Sequence, residues 1–131
     1  MAEGLARHLG KGVLEPFSAG LIPTRVDSRA IKVMNELGID ISGQKPKAID
    51  ETLLRTMDVV ITLCSNAVEA CPVTPPEITR IHWPIEDPVG AVGADEVVLW
   101  KFRQARDEIR DRMIGFIKET AARNLSVSGL C

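Results

Sequence analysis

Residues 59–63 form the most apolar strand candidate of the chain, and this run constrains the fold more than any other feature. Its sequence is Val-Val-Ile-Thr-Leu, so a strand here presents apolar side chains on both faces. Strands of this kind are typical of parallel sheets, in which crossover helices cover both sides. The run therefore predicts an α/β fold with an open, mostly parallel sheet flanked by helices.

Strand and helix patterns alternate along the rest of the chain, as that fold class requires. Further strands are predicted at 13–19 and 79–85, and Pro16 favours a sheet edge for the first of them because proline cannot donate a ladder hydrogen bond. Periodicity and capping residues predict helices over 1–9, 28–37, 50–57 and 98–117, with one helical turn at 65–70. In such a sheet, functional groups are expected at the carboxyl ends of the strands.

The composition is that of one globular domain, since 45% of the 131 residues are apolar and 26% are charged. A net charge of −2 argues against binding to the phosphate backbone of nucleic acids. No window approaches the roughly 20 apolar residues of a transmembrane helix, and residues 1–12 lack the apolar core of a signal peptide. We therefore expect a cytoplasmic protein with neither nucleic acid nor membrane as a partner.

Three cysteines, Cys64, Cys71 and Cys131, are the first candidates for chemistry. An odd number in a reducing compartment indicates free, catalytic or redox-active thiols rather than structural disulfides. Cys64 ends the most apolar strand, and a disulfide to Cys71 requires the intervening helical turn to unwind. On spacing alone, two small buried hydrophobic residues are an equally good interpretation. Cys131, at the terminus, is expected to be an incidental exposed thiol.

Two further candidates for chemistry lie in the strand at 79–85 and in the loop after it. Asp87 precedes Pro88 in the loop after this strand, where a carboxyl group can act as a general acid or base, although Asp-Pro is also a common turn opener. His82 is expected to be a hydrogen-bonded core or rim residue. A zinc site built from it and the two cysteines is disfavoured, since the paired short spacings of zinc ligands are absent.

Five segments of the chain carry a resemblance to a known family. They are MAEGL (1–5), FSAG (17–20), GIDISGQ (38–44), ITLCSNAVEACP (61–72) and HWPIEDP (82–88). Together they resemble the thioredoxin-coupled arsenate reductases, which share the fold of the low-molecular-weight protein tyrosine phosphatases. The similarity runs in the same order from Met1 to about Thr120, and the paired cysteines followed by HW and EDP are specific to the reductase branch.

What the resemblance implies is a relay of three cysteines that reduces arsenate or a similar oxyanion, with thioredoxin as the external reductant and no bound cofactor. A thiolate in an N-terminal Cys-x5-Arg phosphate loop attacks arsenate, a second cysteine attacks that sulfur and releases arsenite, and a third takes over the disulfide. Cys64 matches the second cysteine and Cys71 the third. Asp87 matches the acid that protonates the leaving oxygen.

The resemblance also extends to a cation site that some members carry. Glu3 and Ser18 match positions near a potassium ion in those members, which makes them weak candidates for cation ligands. Lys47, however, stands where those members have aspartate. We therefore expect no bound metal.

The chain departs from the family at its beginning. In the family, the MAEG segment follows the phosphate loop, whereas here no cysteine precedes Cys64, so the nucleophile and its loop are expected to be absent. The family's first strand, which lies between the strands at 13–19 and 59–63, is expected to be absent as well. We therefore expect a single, N-terminally truncated domain at 1–125 with a frayed tail at 126–131.

The truncation leads to several expectations for the chain as written. The chain is expected to misfold, to borrow a strand from a partner chain or to represent part of the native protein. A complete domain is expected to be a monomer, whereas a truncated domain could form a strand-exchanged oligomer. Its activity is in question without the nucleophile. Two alternatives to arsenate reduction stay open: a low-molecular-weight protein tyrosine phosphatase, and a non-catalytic remnant or thiol switch that uses the Cys64/Cys71 pair.

Overall fold

The structure is a computed structural model that describes residues 1–20, 25–63, 72–121 and 126–130. This part of the chain contains four α-helices and four β-strands. The helices are α1 (Ala2–Leu9), α2 (Ser28–Asn35), α3 (Glu51–Leu54) and α4 (Asp95–Thr120). The strands are β1 (Glu15–Ala19), β2 (Val59–Thr62), β3 (Thr79–His82) and β4 (Ser126–Leu130). A short 3-10 helix spans Pro88–Gly90.

The sheet confirms the predicted fold class. Its strand order is β1-β4-β2-β3, and neighbouring strands are parallel throughout. All four residues of β2 are buried, as the apolar run predicted. β1 lies at the edge of the sheet, where the missing N–H of Pro16 is tolerated.

The position of β4 differs from the expected frayed tail. Residues 126–130 lie between β1 and β2, with Ser126 opposite Glu15 and with Leu130 opposite both Ala19 and Thr62. The central position that the resemblance leaves without a strand is therefore occupied by the chain's own C-terminal segment. The physical reason is that β1 and β2 otherwise present unpaired backbone groups inside the domain, and a short segment that reaches them satisfies both rows.

Capping side chains set the beginnings of two helices as predicted. The Asp27 carboxylate accepts a hydrogen bond from Arg29 N at 2.8 Å and begins α2, and the Asp50 carboxylate accepts from Thr52 N at 2.9 Å and begins α3. Both helices end earlier than expected. The chain leaves α2 through Gly38, whose φ of +73° suits glycine. The helical turn predicted at 65–70 lies outside the described residues.

The core lies on both faces of the sheet. The larger cluster packs α1, α2 and α4 against one face, and its most deeply buried side chains include Leu5, Val33, Met34 and Phe102. The smaller cluster contains Val60 of β2 with residues of α3 and of the segments around it: Leu54, Met57 and Ile78. Two covered faces explain why the strand pattern of β2 lacks polar alternation.

A charged cluster joins α2 to α4. The Nε–H of Arg103 is shared between the two carboxylate oxygens of Glu36, and a terminal nitrogen of Arg103 donates a further hydrogen bond to Glu36 at 2.8 Å. Arg106, which is buried, donates to Glu36 Oε1 and to the Val33 carbonyl, both at 2.8 Å. Hydrogen bonds from Arg103, and then from Arg106, lower the pKa of Glu36 to about 2.

This cluster predicts a loss of stability in acid. The carboxylate of Glu36 stabilises the fold above its unfolded pKa, and that contribution is lost as the pH falls from about 4.5 towards about 2. We expect Glu36→Gln to lower the free energy of unfolding by about 1 kcal/mol at pH 7, a value that allows for solvent screening. Urea unfolding of both proteins should show the difference shrinking at low pH.

Glu77→Gln is the matched control for this experiment, since Glu77 is exposed and no ion pair is described for it. It removes one negative charge without touching the α2–α4 contact, so it should change the unfolding free energy little at either pH. A difference between wild type and Glu36→Gln that persists undiminished at low pH would contradict the assignment.

Candidate functional site

A cavity of about 280 Å³ opens at the carboxyl end of the sheet, where the predicted fold places functional groups. Leu63, which follows β2, lines it, as do the loop after β3 and the beginning of α1. The surrounding wall is largely apolar and includes Val26, Ala30, Ile85, Phe102 and Ile109. We call this space the α1 cavity.

The first turn of α1 is the most distinctive wall of the α1 cavity. Met1 and Ala2 line it, and no side chain caps the helix at Met1. The amides of a first helical turn have no acceptor within the helix and carry partial positive charge. Arg25 lines the same cavity and adds a full positive charge. These groups have the chemistry that binds an oxyanion.

A glycine allows α1 to approach the neighbouring loop closely. A Cβ atom added to Gly4 would lie 2.6 Å from Cγ2 of Ile41, which is fully buried. The helix therefore packs against this loop at a distance that no side chain at position 4 permits. The close packing fixes the beginning of α1 relative to Gln44, which also lines the α1 cavity.

Asp87 lies at the α1 cavity, and it also opens a turn. Its Oδ1 accepts a hydrogen bond from Val89 N at 3.0 Å, and the residue caps the 3-10 helix. The side chain is exposed, and it lines the cavity together with Leu63 and Arg25. The two interpretations of Asp87 are therefore compatible, because the cap holds the carboxyl group beside the groups that can bind an anion.

The cysteines at 64, 71 and 131 lie outside the described residues, so their predicted roles stay predictions. The residues that flank the first two are described. Leu63 lines the α1 cavity, and the carbonyl of Pro72 accepts a hydrogen bond from the Arg80 guanidinium at 3.0 Å.

The buried carboxylate of Glu3 lies close to the exposed Lys47 side chain. The Glu3 side chain is buried, and its Oε1 has no hydrogen-bond partner. The nearest cations are Lys47 Nζ at 3.7 Å and an Arg7 guanidinium nitrogen at 3.9 Å. Ser18 lies with Lys47 on a different cavity. The Lys47 ammonium thus faces Glu3, the one carboxylate among the candidate cation ligands. A potassium ion bound there would be repelled by the positive charge of Lys47.

The residues present therefore do not fit a potassium ion. Within the segments that the structure describes, no group of three or more histidine, cysteine, aspartate or glutamate side chains is arranged to hold a metal. His82 is a rim residue, as predicted: it is exposed, and its Nδ1 lies 2.8 Å from the Thr62 hydroxyl.

Arg25, Gln44 and the amides of α1 were missed from the sequence. Arg25 and Gln44 are single polar residues in separate loops, and nothing in their spacing indicates that folding brings them to one cavity. Backbone amides leave no signature in a sequence at all.

Comparison with known proteins assigns this architecture to a family. Residues 1–126 match the family model described as low molecular weight phosphotyrosine protein phosphatase. The chain belongs to this family. A solved protein tyrosine phosphatase of this type from T. tengcongensis superposes with a TM-score of 0.73 at 21% identity, over 90% of this chain and 88% of the phosphatase, and it shows the shared fold.

Within the family, the chain is similar to bacterial arsenate reductases. It is 42% identical to that of Halalkalibacterium halodurans and 40% identical to that of Bacillus subtilis, in each case over 88% of this chain and 84% of the relative. A solved arsenate reductase in the oxidized state has a TM-score of 0.74 at 36% identity, and another in the phosphate binding state has 0.72 at 37%. Each superposition covers 91% of this chain and 86% of the other. The resemblance is confirmed.

No described helix is both long and apolar enough to cross a membrane.

The contact between Glu3 and Lys47 predicts how the fold responds to cations. We expect the melting temperature to be equal in potassium and sodium chloride at matched ionic strength, because the lysine ammonium already faces the carboxylate. We expect Lys47→Met to lower the free energy of unfolding by at most about 1 kcal/mol, because the lysine side chain is exposed and its ammonium lies beyond hydrogen-bond distance of Glu3 Oε1. Thermal and urea unfolding measure both effects.

Lys45→Met serves as the control, since Lys45 is a nearby exposed lysine. It should unfold like the wild type. Stabilisation of the wild type by potassium and not by sodium would show that the site accepts the ion after all.

Proposed function

We propose that this protein is an arsenate reductase that uses a cysteine relay with thioredoxin as the reductant. The observation that carries the proposal is the α1 cavity, which is lined by the first turn of α1, Arg25 and Asp87 together with Leu63, the residue before Cys64. The identity of about 40% to arsenate reductases supports arsenate as the substrate.

The anion-binding step follows from charge. The first-turn amides of α1 and the Arg25 guanidinium favour a multiply charged oxyanion over a neutral ligand. One of the similar arsenate reductases is described in a phosphate binding state, and we extend oxyanion binding from that protein to this chain. The apolar walls of the cavity reduce screening by water, which strengthens the attraction.

In the proposed reaction, Asp87 transfers a proton, and Cys64 and Cys71 carry out the thiol chemistry. The first thiolate, which the resemblance assigns to a Cys-x5-Arg loop that residues 1–63 do not contain, attacks arsenic, and Asp87 protonates the oxygen that leaves as water. Cys64 then attacks the sulfur bonded to arsenic; the As–S bond breaks, its electron pair reduces As(V) to As(III), and arsenite is released with a disulfide. Cys71 attacks Cys64 and forms the Cys64–Cys71 disulfide, which thioredoxin reduces with its two thiols.

Residues 1–63 contain no cysteine, so the proposal assigns to this chain the second and third thiols of the relay. We expect the purified chain, once oxidised, to be reduced by thioredoxin through the Cys64–Cys71 disulfide. Cys64→Ser and Cys71→Ser should each abolish this reaction, as followed by NADPH consumption with thioredoxin reductase. With the first thiol of the relay present, arsenate-dependent turnover should be lost as well.

Cys131→Ser is the matched control, because it removes one thiol without touching the pair. It should react with thioredoxin like the wild type. Arsenate turnover that survives in the Cys64→Ser/Cys71→Ser double variant would exclude the relay. Reduction by thioredoxin without any arsenate turnover would instead support the thiol switch.

A phosphatase is the second candidate function, and the family model favours it by description. The same aspartate and helix N-terminus suit hydrolysis of an aryl phosphate, which needs no second or third thiol. Hydrolysis of p-nitrophenyl phosphate that is unchanged in the Cys64→Ser/Cys71→Ser variant, together with absent arsenate reduction, would favour the phosphatase.

Asp87 carries a prediction that separates chemistry from folding. Asn at position 87 keeps an oxygen that can accept the hydrogen bond from Val89 N, so the cap should persist. It cannot donate an acidic proton. With the first thiol of the relay present, we expect Asp87→Asn to lower the arsenate turnover rate by about 10²-fold or more, with an unchanged melting temperature.

Glu86→Gln is the control for Asp87→Asn, since Glu86 lines the same cavity and is also exposed. It should reduce turnover far less. Equal losses in the two variants would mean that the cavity needs negative charge in general rather than a proton from Asp87.

A further inference from the structure

The chain that enters residues 64–71, the segment with the first two cysteines, is held by main-chain pairing. The carbonyl of Thr62 accepts a hydrogen bond from Trp83 N at 2.9 Å, and the carbonyl of Leu63 accepts one from Ile85 N at 3.0 Å. Pairing with the chain that follows β3 therefore continues past the end of β2. The first end of the segment starts from a fixed position as a result.

The second end of the segment is held by a side chain of β3. The Arg80 guanidinium donates a hydrogen bond to the carbonyl of Pro72 at 3.0 Å. Proline has no amide hydrogen, so this carbonyl is the one main-chain group at position 72 that can be bound. Among the described contacts, the chain is next fixed to the core at Ile78, which is buried in the smaller cluster. A single, replaceable side chain therefore holds this end.

The two held ends matter because a disulfide between the cysteines requires the chain between them to rearrange. Cys64 directly follows Leu63, and Cys71 directly precedes Pro72. Consecutive Cα atoms are about 3.8 Å apart, so each cysteine stays within one residue of a held position while the residues between them change conformation. The held ends therefore limit how far the two thiols can separate.

The length of the connection gives the size of this effect. With Pro72 bound by Arg80, eight residues (64–71) connect the held positions; without that bond, fourteen residues (64–77) connect Leu63 to Ile78. The entropic cost of closing a loop rises with the logarithm of its length, and the longer connection lowers the effective concentration of one thiol at the other by about two- to threefold.

We propose that Arg80 is a positioning residue of the cysteine relay. By holding the Pro72 carbonyl, it keeps Cys71 within reach of Cys64 and favours the disulfide between them. The inference rests on the proposed function, since it gives Arg80 a task within that relay. Arg80 and Pro72 both lie outside residues 64–71, so their hydrogen bond is expected to persist in the dithiol and in the disulfide.

The test measures the equilibrium between dithiol and disulfide in mixtures of oxidised and reduced dithiothreitol. The oxidised reagent takes two electrons and two protons from the thiols of Cys64 and Cys71, so an S–S bond forms in the protein as that of the reagent breaks. The full-length Cys131→Ser protein, with and without Arg80→Met, shares one tube and therefore one redox potential. After rapid alkylation, mass spectrometry finds two labels on the dithiol and none on the disulfide. We expect Arg80→Met to lower the equilibrium constant for disulfide formation by about two- to threefold.

Arg80→Lys and Arg55→Met are the matched variants for this measurement. Lysine keeps a cationic donor on a side chain of similar length, so Arg80→Lys should recover most of the loss. Arg55 is an exposed arginine at the end of α3, and its replacement should leave the equilibrium constant unchanged. The melting temperature of the dithiol form should be equal in all of these proteins, because Arg80 is exposed as well.

Two results would overturn the inference, and they differ in what they say about the relay. An equilibrium constant that is unchanged or higher in Arg80→Met would remove the task from Arg80 and leave the relay in place. A Cys131→Ser protein that keeps both thiols at every ratio of oxidised to reduced dithiothreitol would exclude the relay of the proposed function, and the inference with it.

Discussion

The parallel pairing of β4 with both β1 and β2 is the interaction on which the rest of the structure depends. β2 is fully buried, so its backbone groups cannot form hydrogen bonds with water and require a paired strand on each side. α1 packs against both β1 and β4. Because the beginning of α1 forms one wall of the α1 cavity, the geometry of the candidate site rests on a strand that contributes no side chain described there.

Much of the fold could be predicted because local sequence and tertiary structure agree. The apolar run of β2, the caps Asp27 and Asp50 and the apolar stripe of α4 each specify their element through nearby residues. β4 is different. Ser-Val-Ser-Gly-Leu has neither a clear alternation nor a long apolar run, and its strand conformation comes from the two rows of backbone groups that it satisfies, which no local pattern encodes.

The candidate site likewise contains residues that the sequence indicates and residues that only the structure shows. Asp87 could be singled out because it follows a strand and precedes a proline, and the cysteine pair because thiols are chemically conspicuous. The contact of Lys47 with Glu3 needed the structure, since the two residues lie in separate segments that meet only after folding. The substitution at position 47 was visible in the sequence, but the buried carboxylate oxygen that it faces was not.

The electrostatics of the α1 cavity distinguish between its acidic residues. Asp27 lines the cavity as Asp87 does, but it receives hydrogen bonds from the Arg29 side chain, one of them at 2.7 Å. Those bonds lower the pKa of Asp27 and keep it ionised, while Arg29 itself stacks over the Phe102 ring at 4.7 Å. A carboxylate held in this way is a poor proton donor, so its task is to cap α2. Asp87 has one oxygen engaged by a single backbone amide and no described arginine partner, so no cation holds its carboxyl group in the way that Arg29 holds that of Asp27.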